Sequence, residues 1–493
     1  MSSTAPIAPR PASSVRAWDA TTDVLVVGFG AAGASAAIGA AAAGAEVTVV
    51  ERAGAPGGAS AMAGGEIYLG GGTPVQKACG FEDTAEAMRA FLAAATGPGI
   101  DEERLDLYCE GSVEHFTWLA DMGVPFKASF CAEPCWEPPG DDGLTYSGGE
   151  NTWPFNEIAP PAPRAHVPQM SGKKPGRRSG GWKLMEHLSA QCRESGVASM
   201  LDGRVVALVS DADGAVAGAV IRRFGEELAV RATKGVVLAS GGFGANPDMV
   251  ALHAPQLCGQ MPLGTDGDDG SSIRLGQGAG GFTRRMDAAQ TAIPTVPALL
   301  YPSIAVNRFG QRFINEDTYA GRVGQAAVFH QGAKVALVMD EAIFESVPEA
   351  DRWGARPTWA AGSVAELEAE MSLPTGSLQA TVSLYNEHAA RGCDPVFHKR
   401  PEWCRPLRPP FGAIDLSALP YAVFTLGGLV TTVDGEVVGS DGPIPGLFAA
   451  GRATSGIPAW GYVSGTSLGD ATFFGRRAGR AAARRERRPA ART

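Results

Sequence analysis

The 493-residue chain predicts an α/β fold in which a Rossmann-like nucleotide domain is interrupted by an inserted α+β domain. Three observations predict it. Asp23-Val24-Leu25-Val26-Val27-Gly28-Phe29-Gly30-Ala31-Ala32-Gly33 joins a short β-branched run to a glycine turn and a small-residue helix. A second apolar run, Glu46 to Val50, ends at Glu51. After a stretch of different character the chain returns to strand signals near residue 420.

Each part of the opening unit answers a separate demand of a bound dinucleotide. Val24 to Val27 reads as a buried parallel strand. Gly28 permits the tight turn, Gly30 lets the backbone approach a pyrophosphate, and Gly33 lets the helix pack on the sheet. The helix then presents its free N–H groups and positive dipole end to the phosphates. Glu51 falls where a carboxylate accepts from ribose hydroxyls. A lone Gly-x-Gly-x-x-Gly arises by chance in a chain with 65 glycines, but the ordered strand, turn, helix, strand and acid does not.

Further along, Lys183 to Ser195 reads as a helix, and Gly203 to Val209 with Ala215 to Arg223 as a hairpin. Lys234 to Phe243 reads as a buried strand entering a glycine turn. Between Cys131 and Gly181 the pattern gives way to Pro, Gly and aromatics (Trp136, Tyr146, Trp153, Phe155), which predicts an active-site cover. Ile304 to Glu316 predicts a hairpin turning at Arg308 to Gly310, followed by helices near 320–332 and 364–391. Strands at Phe424 to Thr432 and Gly446 to Gly451 precede a final helix beginning near Ser467. The boundaries expected are a disordered tail at 1–19, a first nucleotide-domain part at 20–285, an inserted catalytic domain at 286–419, a second nucleotide-domain part at 420–482 and a basic tail at 483–493.

Composition narrows the partners. A net charge of −10 argues against a general nucleic-acid binder, and the terminal arginines (Arg476 to Arg492) read as a solvated helix running into a frayed tail. Eight scattered cysteines read as reduced core thiols; Cys131 and Cys135, without a second pair, make a poor zinc site, and no metal is expected. Residues 1–19 lack the apolar core of a signal peptide, and no stretch has the bulk to span a membrane, so a cytoplasmic protein is expected.

Four phrases occurring in order resemble the FAD-dependent fumarate reductase and succinate dehydrogenase flavoprotein superfamily: Glu51 to Ser60, Ala239 to Phe243, Pro443 to Gly451, and Gly465-Thr466-Ser467-Leu468. The resemblance implies FAD rather than NAD. It implies cofactor contacts from Gly28, Gly30, Ala32, Gly33, Glu51, Arg52, Gly58, Ala59, Ser60, Gly64, Gly65, Val205, Val206, Ser240, Gly241, Gly451, Ser467 and Leu468. It also implies that the last helix N-terminus favours negative charge near the flavin ring. Covalent members attach the flavin through a His in the early glycine loop; Gly57 to Gly65 contains none, so non-covalent FAD is implied.

Departures from the superfamily read the substrate. Fumarate reductases place an Arg acid shortly after the Asn-Glu of the hairpin and use His-rich phrases to grip a dicarboxylate. Here Asn315-Glu316 is followed by Asp317-Thr318-Tyr319-Ala320, Arg322 is turned off Tyr319's face of the helix, and Phe424-Thr425-Leu426-Gly427-Gly428 lacks His. The arrangement is instead similar to the 3-ketosteroid dehydrogenases. Tyr462 falls on the ketone-binding Tyr of that family. The Δ1-desaturating members carry a further Tyr before a Pro-Gly, where this chain has Trp136-Glu137-Pro138-Pro139-Gly140.

Tyr319, Tyr462 and Ser464 therefore resemble the catalytic set of the Δ4-(5α)-dehydrogenases, with Phe424, Trp460 and Thr466 expected to touch the hydrophobic substrate. The resemblance implies oxidation of a 3-keto-5α-steroid to its 4-ene. Δ1-desaturation, a fumarate-reductase-like reduction of another unsaturated substrate, and a non-catalytic redox-sensing or structural flavoprotein remain the alternatives. The electron acceptor is left open.

Overall fold

The computed structural model describes residues 4–169 and 179–488. Val24 to Val27 are buried inside the Ala20–Val27 strand of a nine-stranded sheet. Val47–Val50 pairs with it in parallel on one side and the Glu226–Leu238 strand on the other. That long strand serves two neighbourhoods. Its first half pairs antiparallel with Val216–Arg223, and Val236 to Leu238 pair in parallel with the Gly442–Ala449 strand. The expected start at Lys234 was late because Glu226 and Glu227 do not read as strand. Both sit at the exposed end, where Glu227 pairs with Arg10 and Arg222.

Two helices close the first unit. Ala31–Ala42 packs on Thr466–Arg484 through small residues: a Cβ on Gly39 would strike the Arg476 backbone, and one on Gly475 or Gly479 the backbone of Ala32 or Ala36. Only glycine allows that approach, so the last helix lies directly over the first.

Both chain ends depart from expectation. Residues 4–19 run along the sheet. Arg10–Pro11 adds a parallel edge strand to Gly203–Ser210, the Ile7 N–H donates to the Arg274 carbonyl at 2.9 Å, and Arg10 pairs with Glu227 at 2.7 Å. Proline is compatible with an edge position because its missing N–H faces no partner strand. The basic end is likewise tied down through residue 488. Arg485 donates to the Lys234 carbonyl at 2.8 Å, Arg487 pairs with Asp23 at 2.8 Å, and Arg488 pairs with Asp213 at 3.0 Å. Residues 489–493 of the expected basic tail lie outside the described residues.

The inserted segment holds its own four-stranded antiparallel sheet, in the order Ile304–Asn307, Val335–Asp340, Phe411–Asp415, Trp359–Ala361, with a separate apolar core. The expected hairpin is half right. Ile304–Asn307 is a strand, but beyond Arg308–Gly310 the chain returns only as a Val306–Arg312 bridge. Arg312 and Glu316 are drawn instead into a buried ion network with Asp394 and Lys399. The expected 364–391 helix divides into Val364–Glu370 and Ser377–Ala389, broken at Ser372 (φ 54°) and Pro374.

Residues 131–169 are more ordered than a loop, and residues 170–178 of the expected cover lie outside the described residues. Phe130–Cys131, Leu144–Thr145 and Ala165–His166 form a small sheet with Ile67–Tyr68. The thiols are not all in the core, since Cys258 and Cys393 are exposed. Among the described residues no helix is long and apolar enough to cross a membrane, and no cluster of His, Cys, Asp or Glu has metal-site geometry.

Candidate active site

A cleft of about 770 Å³ runs from the carboxyl ends of the parallel strands to the inserted domain. Its nucleotide end is built by glycine geometry and one carboxylate. Gly28 has φ +100°, and a Cβ there would lie 2.6 Å from the Ala239 carbonyl oxygen, so the turn admits only glycine. Glu51 is fixed by the backbone: one carboxylate oxygen accepts from the Phe29 N–H and the other from the Ala53 N–H, each at 2.8 Å. Ser60 accepts from the Ala31 N–H at 3.0 Å, joining the second glycine loop to the start of the first helix. At the far end of this half, Gly465 caps the terminal helix in the left-handed conformation, and Ser467 and Leu468 of its first turn line the cleft. A cradle of backbone, a carboxylate at the end of the second strand and two helix N-termini fit FAD.

The other half is an aromatic chamber on a sheet floor. Ala289–Ala292 pairs antiparallel with Ala422–Thr425, and Met261–Pro262 adds in parallel. Residues of the floor alternate in direction, so Gln290, Ala292, Phe424, Ala422 and Met261 share the face that lines the cleft. Above it Tyr319, Tyr462, Phe424 and Trp136 cluster. Phe424 meets Tyr462 edge-on at 5.1 Å, and Trp136 meets Tyr319 edge-on at 6.1 Å. Trp136 is held by its indole N–H donating to the Thr295 carbonyl at 3.0 Å.

Burial pushes both tyrosine phenols up, and negative potential from Glu66 adds to it. Neighbouring polar groups pull the other way: the Ser464 side chain beside Tyr319, and Ser467 with the Gly465 amide beside Tyr462. Both phenols are therefore neutral hydrogen-bond donors at neutral pH, each already facing a group that stabilises negative charge on its oxygen. Ser464 is positioned by its backbone, which exchanges hydrogen bonds with Ser147: the Ser464 N–H donates at 3.1 Å, and the Ser147 hydroxyl returns one at 2.8 Å.

The cleft gathers Gly28, Gly30, Ala32, Glu51, Arg52, Gly58, Ala59, Ser60, Gly64, Val205, Ser240, Gly241, Gly451, Ser467 and Leu468 with Tyr319, Tyr462, Ser464 and Phe424. Five expected residues do not line it. Gly33 packs the first helix on Gly28, and Gly65 packs against Gly180 and Gly181. Val206 points to the opposite sheet face from Val205 and packs with Trp18. Trp460 is 41% exposed. The fully buried Thr466 hydroxyl donates to the Val463 carbonyl at 2.6 Å. Of the expected cover aromatics only Trp136 reaches the cleft; Trp153 stacks on His398 and Phe155 packs on Phe91.

Sequence reasoning missed Gln290, Glu66 and Arg452. Gln290 sits in an unremarkable Ala-Gln-Thr-Ala run. The nearest signal is Gly321, where a Cβ would strike both Gln290 and Tyr319. Arg452 is the cation closest in kind to a dicarboxylate grip, but Asp268 holds it in a two-point ion pair at 2.8 and 2.9 Å. Arg322 lies outside the cleft, stacked on Phe155 and donating to the Ala95 carbonyl at 2.8 Å, and burial lowers it to about 10.

Comparisons with known proteins agree with this geometry. The sequence model of the FAD binding domain family matches residues 23–468. The crystal structure of the 3-ketosteroid-Δ4-(5α)-dehydrogenase from Rhodococcus jostii RHA1 in complex with 4-androstene-3,17-dione is similar at 53% identity and a TM-score of 0.94, covering 97% of this chain and 100% of that one. The 3-oxo-5-alpha-steroid 4-dehydrogenase of Comamonas testosteroni is 27% identical, covering 88% of this chain and 93% of its own length. A probable fumarate reductase of Shewanella frigidimarina is 28% identical over 94% of this chain and 75% of its own. The chain belongs to the FAD binding domain family and, within it, to the family of the Rhodococcus 3-ketosteroid-Δ4-(5α)-dehydrogenase.

Proposed function

We propose that this protein is an FAD-dependent oxidoreductase that introduces the C4–C5 double bond into 3-keto-5α-steroids. The observation that carries the reading is the whole-chain likeness, at 53% identity, to a dehydrogenase solved with 4-androstene-3,17-dione. The cleft supports it chemically, because its deep half offers two phenols and a serine in an aromatic setting.

The hydrogens on carbon beside a ketone are the acidic ones a simple steroid offers, so the reaction needs ketone polarisation, a base and a hydride acceptor. FAD supplies the hydride acceptor. Tyr462 donates to the C3 ketone oxygen, and that hydrogen bond strengthens as the oxygen gains enolate charge. Ser464 takes the C4 proton as its own hydroxyl proton moves to Tyr319, which releases its phenol proton onward, and the C5 hydrogen leaves as the hydride. The aromatic walls exclude water from this exchange.

The test is anaerobic mixing with 5α-androstane-3,17-dione, followed by product identification. The flavin should bleach and 4-androstene-3,17-dione should form. A 1-ene product would move the reaction to the Δ1 class, and an unbleached flavin would leave a non-catalytic flavoprotein.

A further inference from the structure

Dehydrogenation beside the ketone leaves a proton at Tyr319, inside a chamber walled by Trp136, Phe424 and Tyr462. One buried acid of that chamber has no part in the steps above. Glu66 is 7% exposed and lines the same cleft as Tyr319, Tyr462 and Ser464. Two close approaches fix where it stands. Its backbone lies against Gly465, the residue after Ser464: a Cβ on Gly465 would fall 3.2 Å from the Glu66 carbonyl oxygen. The Tyr68 N–H donates to the Gly465 carbonyl at 3.0 Å and holds the two segments together. The Glu66 carboxylate folds over Gly64, where a Cβ would lie 2.7 Å from Oε2 and 2.8 Å from Oε1.

A second carboxylate reaches the same point. Glu137 Oε2 would lie 3.1 Å from that Cβ, and Glu137 follows Trp136, which meets Tyr319 edge-on at 6.1 Å. Glu66 thus stands between the Ser464–Gly465 turn and the Trp136–Glu137 segment, and the half-buried Glu137 leads from it toward solvent. Both phenols sense the Glu66 charge. Carboxylates converging on one spot repel, and a proton arriving between them relieves that repulsion.

We propose that Glu66 accepts the Tyr319 phenol proton and that Glu137 hands it to solvent, so that the pair is the proton exit of the dehydrogenation. The Tyr319 O–H bond breaks as the Ser464 proton reaches its oxygen, and Glu66 becomes the carboxylic acid. The acid then loses its proton to the Glu137 carboxylate, which releases it to water; no electrons move in these steps. Gln290 suits the arrangement, because its amide already donates to the Tyr319 oxygen and leaves the phenol proton for an acceptor. This rests on the dehydrogenase reading above and on the Ser464–Tyr319 relay within it.

The experiment follows single-turnover flavin bleaching of the FAD-loaded enzyme by 5α-androstane-3,17-dione, unlabelled, deuterated at C4 or deuterated at C5. Glu66→Gln should keep its FAD and bleach about 10²-fold more slowly, the lower end of what a positioned proton acceptor contributes. Its C4 isotope effect should rise above that of the wild type and its C5 effect should shrink, because proton removal then limits the rate. Glu137→Gln should slow bleaching less, with the same pair of changes. Formate should return part of the rate to Glu66→Ala by standing in for the lost carboxylate. Wild-type isotope effects in both Gln variants overturn the exit. A C5 effect that grows instead also overturns it, and makes Glu66 a charge that tunes hydride acceptance. If Glu66→Gln fails to hold FAD, Glu137→Gln decides, and a wild-type C4 effect there overturns the proposal. A wild type that the steroid does not bleach removes the dehydrogenase reading itself, and the exit with it.

Discussion

The side-chain amide of Gln290 donates to the Tyr319 hydroxyl oxygen over 3.0 Å, from the sheet floor to the start of the Ala320–Gln331 helix. The bond leaves the phenol proton to other partners and stabilises charge on the oxygen if that proton leaves. Gln290→Leu should therefore slow single-turnover flavin reduction about tenfold, the worth of one such bond, with FAD content unchanged. Normal reduction in this variant would confine Gln290 to a packing role.

Tyr462→Phe should retain FAD and lose rate. A donor aimed at developing oxyanion charge is worth about 10²–10³ in rate, and the loss should fall on kcat more than on substrate affinity because the bond strengthens in the transition state. Stopped-flow bleaching across a range of steroid concentrations separates the two parameters. An effect confined to affinity would make the hydroxyl a ground-state contact.

Ser464→Ala and Tyr319→Phe should each slow reduction strongly, and the double variant should be little worse than either, because residues acting as one relay are non-additive. Fully additive losses in the complete cycle would break the relay. Tyr319 and Ser464 line the same cleft, which makes the pair a fair subject for the cycle.

Glu51→Ala should release FAD more readily. Loss of a ribose contact at Glu51 would account for about 1.5–3 kcal/mol, and the same substitution strips the Phe29 and Ala53 N–H groups of their acceptor. The variant should then lose some thermal stability even without cofactor, while Glu51→Gln keeps part of both. Dilution followed by flavin fluorescence measures retention, and a melting curve of the apoprotein measures the second effect.

Acid should destabilise the fold before the carboxylates titrate. Burial lowers His166 to about 4 and His115 to about 3. Unfolded imidazoles take up protons near 6.5, so stability is full above that value and falls as pH drops toward 4. Each histidine contributes a slope of at most about 1.4 kcal/mol per pH unit. His166→Gln should flatten the decline between pH 6.5 and 5 in urea titrations. An identical decline would assign the acid sensitivity elsewhere.

The nucleotide half was legible because each demand there falls on a residue type that announces itself. Gly28, Gly30 and Glu51 sit where strand, turn and acid spacing place them. The tyrosines were legible through departures from a family pattern rather than through local physics. Gln290 was not, since its role depends on a strand pairing in which Ala289–Ala292 meets Ala422–Thr425 across most of the inserted domain. Trp460 and Thr466 misled for the opposite reason: they neighbour Tyr462 and Ser467 in sequence, but the turn into the last helix sends one to solvent and the other inward. The tied-down ends were illegible because arginines and prolines carry no strand signal until their partners on the sheet are known.

The close seating of Ala31–Ala42 against Thr466–Arg484 has a consequence for how the protein is made. The first helix emerges from the ribosome long before the helix that covers it. Until then the small apolar face of Ala31–Ala42 lacks its partner, and the neighbouring Gly442–Ala449 strand is missing as well. Pairings this distant in sequence form slowly, and unfinished chains expose apolar surface while they wait. The coenzyme cradle is thus completed only once Thr466–Arg484 has been made, and a truncation within that helix should yield a chain that neither takes up flavin nor stays in solution.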